Sequence, residues 1–154
     1  MMYKNEAYLK NYFLSHRDVT KDLIGMIEKD KYDYRPTPTS MSAKELVVHM
    51  LTSFHKFAAI AAGRDPVQLH EENDDWTLNE LADRYTEESV RLIEMLDPAK
   101  IDEEIDLSQS MGTVMPAWRL IETAIDHEIN HKGNLFVYVR EMGHTHLPMF
   151  VKNP

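Results

Sequence analysis

The sequence predicts an all-α protein, a four-helix bundle with a long connection between its third and fourth helices. Three observations lead there. Apolar residues recur at three- and four-residue steps through four segments. Two of those segments open with a helix-capping signature. Histidines and other polar residues fall on the inward faces of the segments, as in bundles that carry a site in their core.

The first helix is expected from about Tyr3 to Lys29, where Leu9, Tyr12, Phe13, His16, Thr20, Leu23 and Ile27 form one seam. Residues 32–38 follow as an extended piece, because Pro36 and Pro38 cannot sit inside a helix. The second helix opens at Ser42. Ser42 and Glu45 make an S-x-x-E capping box, Met41 and Leu46 are spaced for the hydrophobic staple around it, and Gly63 stops the helix. Its inner face reads Leu46, His49, Met50, Ser53, Phe57 and Ile60. Thr77 with Glu80 and Trp76 with Leu81 repeat the device for the third helix. Leu78, Leu81, Tyr85, Leu92 and Leu96 give its stripe, and Asp97-Pro98 ends it. Residues 99–115 are acidic, with Gly112 as a turn residue, and read as a hairpin or an irregular lid. The fourth helix runs from about Pro116 to Met142 and closes at Gly143. Its seam is Leu120, Ala124, His127, His131, Asn134 or Leu135, and Tyr138. A second apolar stripe, Ile121, Ile125, Ile129, Phe136 and Val139, makes this helix either central or part of a subunit interface.

At 154 residues the chain is one domain, residues 1–154, large enough for a core of its own. Hydrophobic residues at 43% and charged residues at 28% match ordinary globular usage, so disorder is not expected. There is no cysteine, so any metal must be held by His, Asp or Glu. A net charge of −9, with basic residues scattered, argues against a nucleic-acid groove. Lys4, Glu6 and Lys10 interrupt the N-terminus where a signal peptide needs an apolar run. The longest apolar stretch, Phe57 to Ala62, is far too short for a bilayer. A soluble, cytoplasmic protein is expected.

The chemistry concentrates in His127-Glu128-Ile129-Asn130-His131. Histidines four apart stand one above the other on a helix, their Cβ atoms about 5–6 Å apart, close enough to share one cation. His49 lies on the inner face of another helix. Three neutral imidazoles with one open position form the catalytic zinc pattern, and they also suit Ni²⁺ or Fe²⁺. His16 faces the core and reads as packing or as a proton carrier near the site. His55, six positions after His49, points to another face, and His70, His144 and His146 fall in loops or the tail. The string also matches H-E-x-x-H, the zincin protease signature, with Glu128 as base. Asn134 and Val137 occupy the positions where the longer signature needs glycine and histidine, and Glu141 is the only later glutamate. Glu128 therefore reads as a surface or inter-helix carboxylate, with a base beside a metal as the alternative. Glu128 and His131 also spell one E-x-x-H, but a di-iron bundle needs two such motifs on different helices, and the other such spacing, Glu141 to His144, falls at the end of the same segment.

Together these residues resemble the DinB-like (DinB/YfiT) superfamily of metal-dependent bundle proteins. Residues 35–49 look like the family's proline-rich lead into a capped second helix and first ligand. His127 to Asn134 is similar to its H-x-x-x-H-R-G-Q, and Tyr138 to Gly143 with Leu147-Pro148 to its helix end. The resemblance implies a homodimeric four-helix bundle in which His49, His127 and His131 bind Zn²⁺ or Ni²⁺, with Fe²⁺ or Mn²⁺ as alternatives. Relatives include thiol-dependent transferases and isomerases that use low-molecular-weight thiols such as bacillithiol or mycothiol. The expected function is a metal-dependent enzyme that activates a thiol or water for transfer or hydrolysis on a small molecule. The alternative is a non-catalytic, metal-binding stress-response bundle. Lys132 and Asn134 stand where the family often has Arg and Gln, and the family does not require Glu128. Gly133 costs a helix about 1 kcal/mol relative to Ala, which would be explained if another helix approached closely beside the metal.

Overall fold

The computed structural model describes residues 4–153. Four helices, α1 (Glu6–Gly25), α2 (Ala43–Ala61), α3 (Leu78–Glu94) and α4 (Ala117–Glu141), form the bundle. A 3₁₀ turn at Lys29–Lys31 links α1 to α2, and strands β1 (Glu104–Leu107) and β2 (Thr113–Pro116) lie between α3 and α4. Both α1 and α2 pack against α3 and α4, so each pair sits diagonally across the bundle from its own partner.

Local chemistry sets the ends. Asn5 Oδ1 accepts from the Tyr8 N–H at 2.9 Å and starts α1, so the helix begins after Tyr3, which lies outside the described residues. It also stops four residues before Lys29. The Met26 N–H turns back to Leu23, and Glu28 is extended. The seam outlives the helix, because Ile27 is still buried. At α2 both halves of the capping box form, through Glu45 N–H to Ser42 Oγ (3.1 Å) and Ser42 N–H to Glu45 Oε1 (2.8 Å). At α3 only half does. The Glu80 N–H reaches Thr77 Oγ1, but the Glu80 carboxylate accepts from the Thr77 hydroxyl instead of the backbone. Gly63 (φ 71°) and Gly143 (φ 103°) end α2 and α4 in the left-handed conformation that glycine tolerates best.

The connection at 99–115 is an antiparallel hairpin, with Glu104 opposite Pro116 and Leu107 opposite Thr113. It lines a cleft with Ile60–Gly63 and Leu96 at one end of the bundle, a cleft that includes none of the three histidines. The lid reading finds no support in this placement.

Two apolar clusters fill the bundle. One gathers Leu23, Val47, Leu51, Tyr85, Leu135 and Val139, the other Leu9, Phe13, Phe54, Ile93, Ile121 and Ile125. Phe13 and Phe54 stack in the second at 3.9 Å. Between them the helices supply a buried polar layer that includes Arg17, Thr20, Thr86, Glu128 and Lys132. Helix faces therefore differ from the pattern-based expectation. On α2, Phe57 and Ile60 are only half-buried, while Val47, Leu51, Phe54 and His55 face the core. On α4 the buried line runs Ile121, Ile125, Glu128, Lys132, Leu135, Val139, and Ile129 and Phe136 lie beside it. Gly133 is also not a point of close approach. It is exposed, and nothing lies within 4 Å of where its Cβ would be.

Candidate metal centre

The facing sides of α2 and α4 bring His49, His127 and His131 together. One donor nitrogen from each lies within 4.8 Å of the others, and all three side chains are half-buried. His49 Nε2 and His127 Nε2 are 3.1 Å apart. Ring centroids lie 4.9 Å (His49–His127), 4.9 Å (His49–His131) and 4.5 Å (His127–His131) from one another, each pair edge to face. Bonds of about 2.0–2.1 Å to a shared Zn²⁺ put ligand nitrogens about 3.3 Å apart at tetrahedral angles. The His49–His127 spacing is close to that value, and the His131 donor lies within 4.8 Å of both.

The environment favours the neutral, metal-binding form. Burial lowers the His49 and His127 pKa values, and the charge of His131 adds to both effects. Two outer nitrogens have polar neighbours. His131 Nδ1 lies 3.3 Å from Asn134 Oδ1, and His49 Nδ1 lies 3.4 Å from Ser53 Oγ. An N–H donated from Nδ1 in each case leaves Nε2 as the metal-facing lone pair. Asn134 thus contacts the ring of a candidate ligand although it stands where the resembled pattern has Gln. Its spacing from His131, and Ser53's from His49, were the sequence clues to both contacts.

Two clefts flank the triad. His49 lines one of 580 Å³ bounded by residues 33–48 and the loop 68–76. His131 lines another of 330 Å³ with Pro36, Met41, Asn134 and Val137.

Glu128 and His16 stand apart from the triad. Glu128 is buried between helices. Arg17 Nε and Nη2 donate to its two oxygens at 2.8 and 2.9 Å, and Thr20 Oγ1 donates at 2.7 Å. Burial pushes its carboxyl pKa up, but Arg17 and Thr20 more than offset that, and the net shift is downward. This is a held carboxylate, not the environment of a base poised near neutral pH. His16 Nδ1 faces Lys132 Nζ at 2.6 Å, and burial followed by the Lys132 charge lowers its pKa. Lys132 also donates to the Phe150 carbonyl. His55 is buried against the Tyr85 ring, and His70 Nδ1 meets the Tyr85 hydroxyl at 2.7 Å. Sequence reasoning missed Arg17. The clue was an arginine in helical step with Phe13, Thr20 and Ile24, on a face that has to be buried.

Three histidines converging between two helices of a four-helix bundle form a group that could hold a divalent ion. The chain belongs to the DinB family, which it matches over residues 1–153. It is 50% identical over 142 residues to the uncharacterized protein YjoA of Bacillus subtilis (strain 168), spanning 91% of this chain and 92% of that one. The crystal structure of a DinB-like protein, YjoA, from Bacillus subtilis superposes with a TM-score of 0.84 at 47% identity, covering 95% of this chain and 99% of that chain. A DinB-like protein from Bacillus cereus ATCC 10987 shares the fold, with a TM-score of 0.70 at 17% identity over 99% of this chain and 98% of its own. Among the described residues, no helix is long and apolar enough to cross a membrane.

Proposed function

We propose that the chain is a divalent-metal-dependent enzyme that activates a thiol or a water for transfer to, or hydrolysis of, a small molecule. The observation that carries this reading is the triad itself, three imidazole donors within 4.8 Å of one another on two helices. A divalent ion held by three neutral imidazoles keeps a coordination position free and brings the pKa of a bound water toward about 7. Zn²⁺ and Ni²⁺ suit the all-nitrogen donor set best, and Fe²⁺ and Mn²⁺ fit it less well.

This chain's own residues supply the rest. His49, His127 and His131 hold the ion, Asn134 and Ser53 orient two of the rings, and the 580 Å³ cleft beside His49 has room for a small molecule. Asp33, Glu45, Glu71, Glu72 and Asp74 outnumber Arg35 and Lys44 in that lining, a balance that disfavours strongly anionic ligands. Elemental analysis of untagged protein should find about one divalent ion per chain. Consumption of a small thiol, or hydrolysis of an activated ester, should depend on that ion and disappear in His127→Ala with the helical spectrum unchanged. Equal turnover in His127→Ala would refute the reading. Strong thermal destabilisation by chelator with no turnover would favour a metal-stabilised, non-catalytic bundle instead.

A further inference from the structure

We propose that Glu128 and Lys132 are positioning residues whose buried contacts with α1 set the rotation of α4, and so aim His127 and His131 at His49. The inference rests on the reading of the triad as a metal site. Each α4 ligand is followed directly by a buried charged residue, His127 by Glu128 and His131 by Lys132. Consecutive helical residues project about 100° apart. With Glu128 and Lys132 turned to α1, the two imidazoles are turned to α2, where His49 waits.

Arg17 is the pivot. Its side chain is fully buried and touches all three other helices. It forks onto Glu128 of α4, donates from Nη1 to Thr86 Oγ1 of α3 at 3.1 Å, and lies 5.5 Å from the Phe54 ring of α2. Thr20 completes the grip on Glu128, and His16 with the Phe150 carbonyl holds Lys132 one turn further on.

Apolar packing is non-directional and tolerates small rotations, whereas a two-pronged arginine–carboxylate contact fixes an angle. The angle matters. A 20° turn of α4 moves an atom about 6 Å from the axis by about 2 Å, against a tolerance of about 0.2 Å in a metal–ligand distance. A buried ion pair is often replaceable by apolar residues at no cost in stability. Stability alone therefore does not account for charges in this layer.

The test is Co²⁺ titration of the full chain, followed by its visible absorption, in wild type, in Arg17→Met/Glu128→Leu and in Lys132→Met. The double variant removes both charges, so neither is left unpaired. It should fold cooperatively yet bind Co²⁺ about 10–100-fold more weakly, with an altered spectrum, well below its melting temperature. A role confined to stability would move the melting curve and leave affinity and spectrum alone. If the double variant does not fold, Lys132→Met decides, with an expected loss of about tenfold in affinity, the low end for a group that orients a ligand. Wild-type affinity and spectrum in every folded variant would overturn the proposal and leave the metal reading standing. Absence of Co²⁺ binding by the wild type would overturn both.

Discussion

Replacing Gly133 with alanine is expected to stabilise the protein, by about 1 kcal/mol from helix propensity. Gly133 lies inside α4, is exposed, and does not have the positive φ of Gly63, Gly112 and Gly143. An added Cβ meets nothing within 4 Å, so no packing cost opposes the gain. Part of the effect comes from the unfolded chain, which loses conformational freedom when glycine is removed. For a chain of this length the gain corresponds to about 2–4 °C in melting temperature. Gly133 sits two residues after His131, roughly 200° round the helix, so the affinity for Zn²⁺ should not change. Thermal unfolding of both metal-free proteins, followed by circular dichroism, makes the comparison. A fall in melting temperature would refute the reasoning and show that another surface covers this face in the assembled protein. Sedimentation would then identify a second copy of the chain as the cover, the homodimer the family resemblance implies.

Two further outcomes follow from single side chains. Burial lowers the His55 pKa below 6.5. On acidification the unfolded chain takes up a proton there before the folded one does. Its contribution is therefore complete above pH 6.5 and falls by up to about 1.4 kcal/mol per pH unit below it, until the folded ring also protonates. His16, His49 and His127 shift in the same direction, so the readout is the difference between wild type and His55→Leu. Urea unfolding of the metal-free proteins between pH 7 and about pH 5 should give the shallower slope to the variant, and identical slopes would sink the idea. Asn134→Ala should weaken Zn²⁺ binding about 10–100-fold by freeing the His131 ring. Because Asn134 is exposed, metal-free stability should change by less than about 0.5 kcal/mol. Unchanged Zn²⁺ affinity would show that the Asn134 contact does not orient the ring.

Much of the bundle was legible because helix starts and stops are written in a few residues. Ser42 with Glu45, and Gly63 and Gly143, did what their chemistry requires. The juxtaposition of His127 and His131 was legible for the same reason, since four residues make about one turn. His49 was grouped with them from its inner-face position, and the packing of α2 on α4 is what brings the three rings together. The faces were harder to read. Periodicity assumes that what is buried is apolar, and this bundle buries Arg17, Glu128 and Lys132 in its middle. The inner face expected of α2 is rotated from the buried one, since Phe57 and Ile60 are half-buried while Leu51, Phe54 and His55 lie in the core, and on α1 Arg17 was overlooked. The hairpin at 104–116 was legible only as one of two alternatives, for a different reason. It is two four-residue strands, too short for alternation to stand out from an acidic loop.

The five residues from His127 to His131 carry a general lesson about motifs. In a zinc protease and in this chain, H-E-x-x-H on a helix gives the same spacing and the same projection of its glutamate, so geometry along the helix cannot assign the glutamate's task. What the carboxylate meets across the helix can. Here it meets a guanidinium on both oxygens and a threonine hydroxyl on one, inside a layer that excludes solvent. Those partners hold it ionised and immobile, whereas a base must accept a proton from a substrate and give it up again. Extended by one residue to Lys132, the string is thus two interleaved pairs on one helix, His127 and His131 turned to the candidate metal site and Glu128 and Lys132 turned to α1. The residue that separates the two readings, Arg17, lies 111 positions away from Glu128 in the sequence.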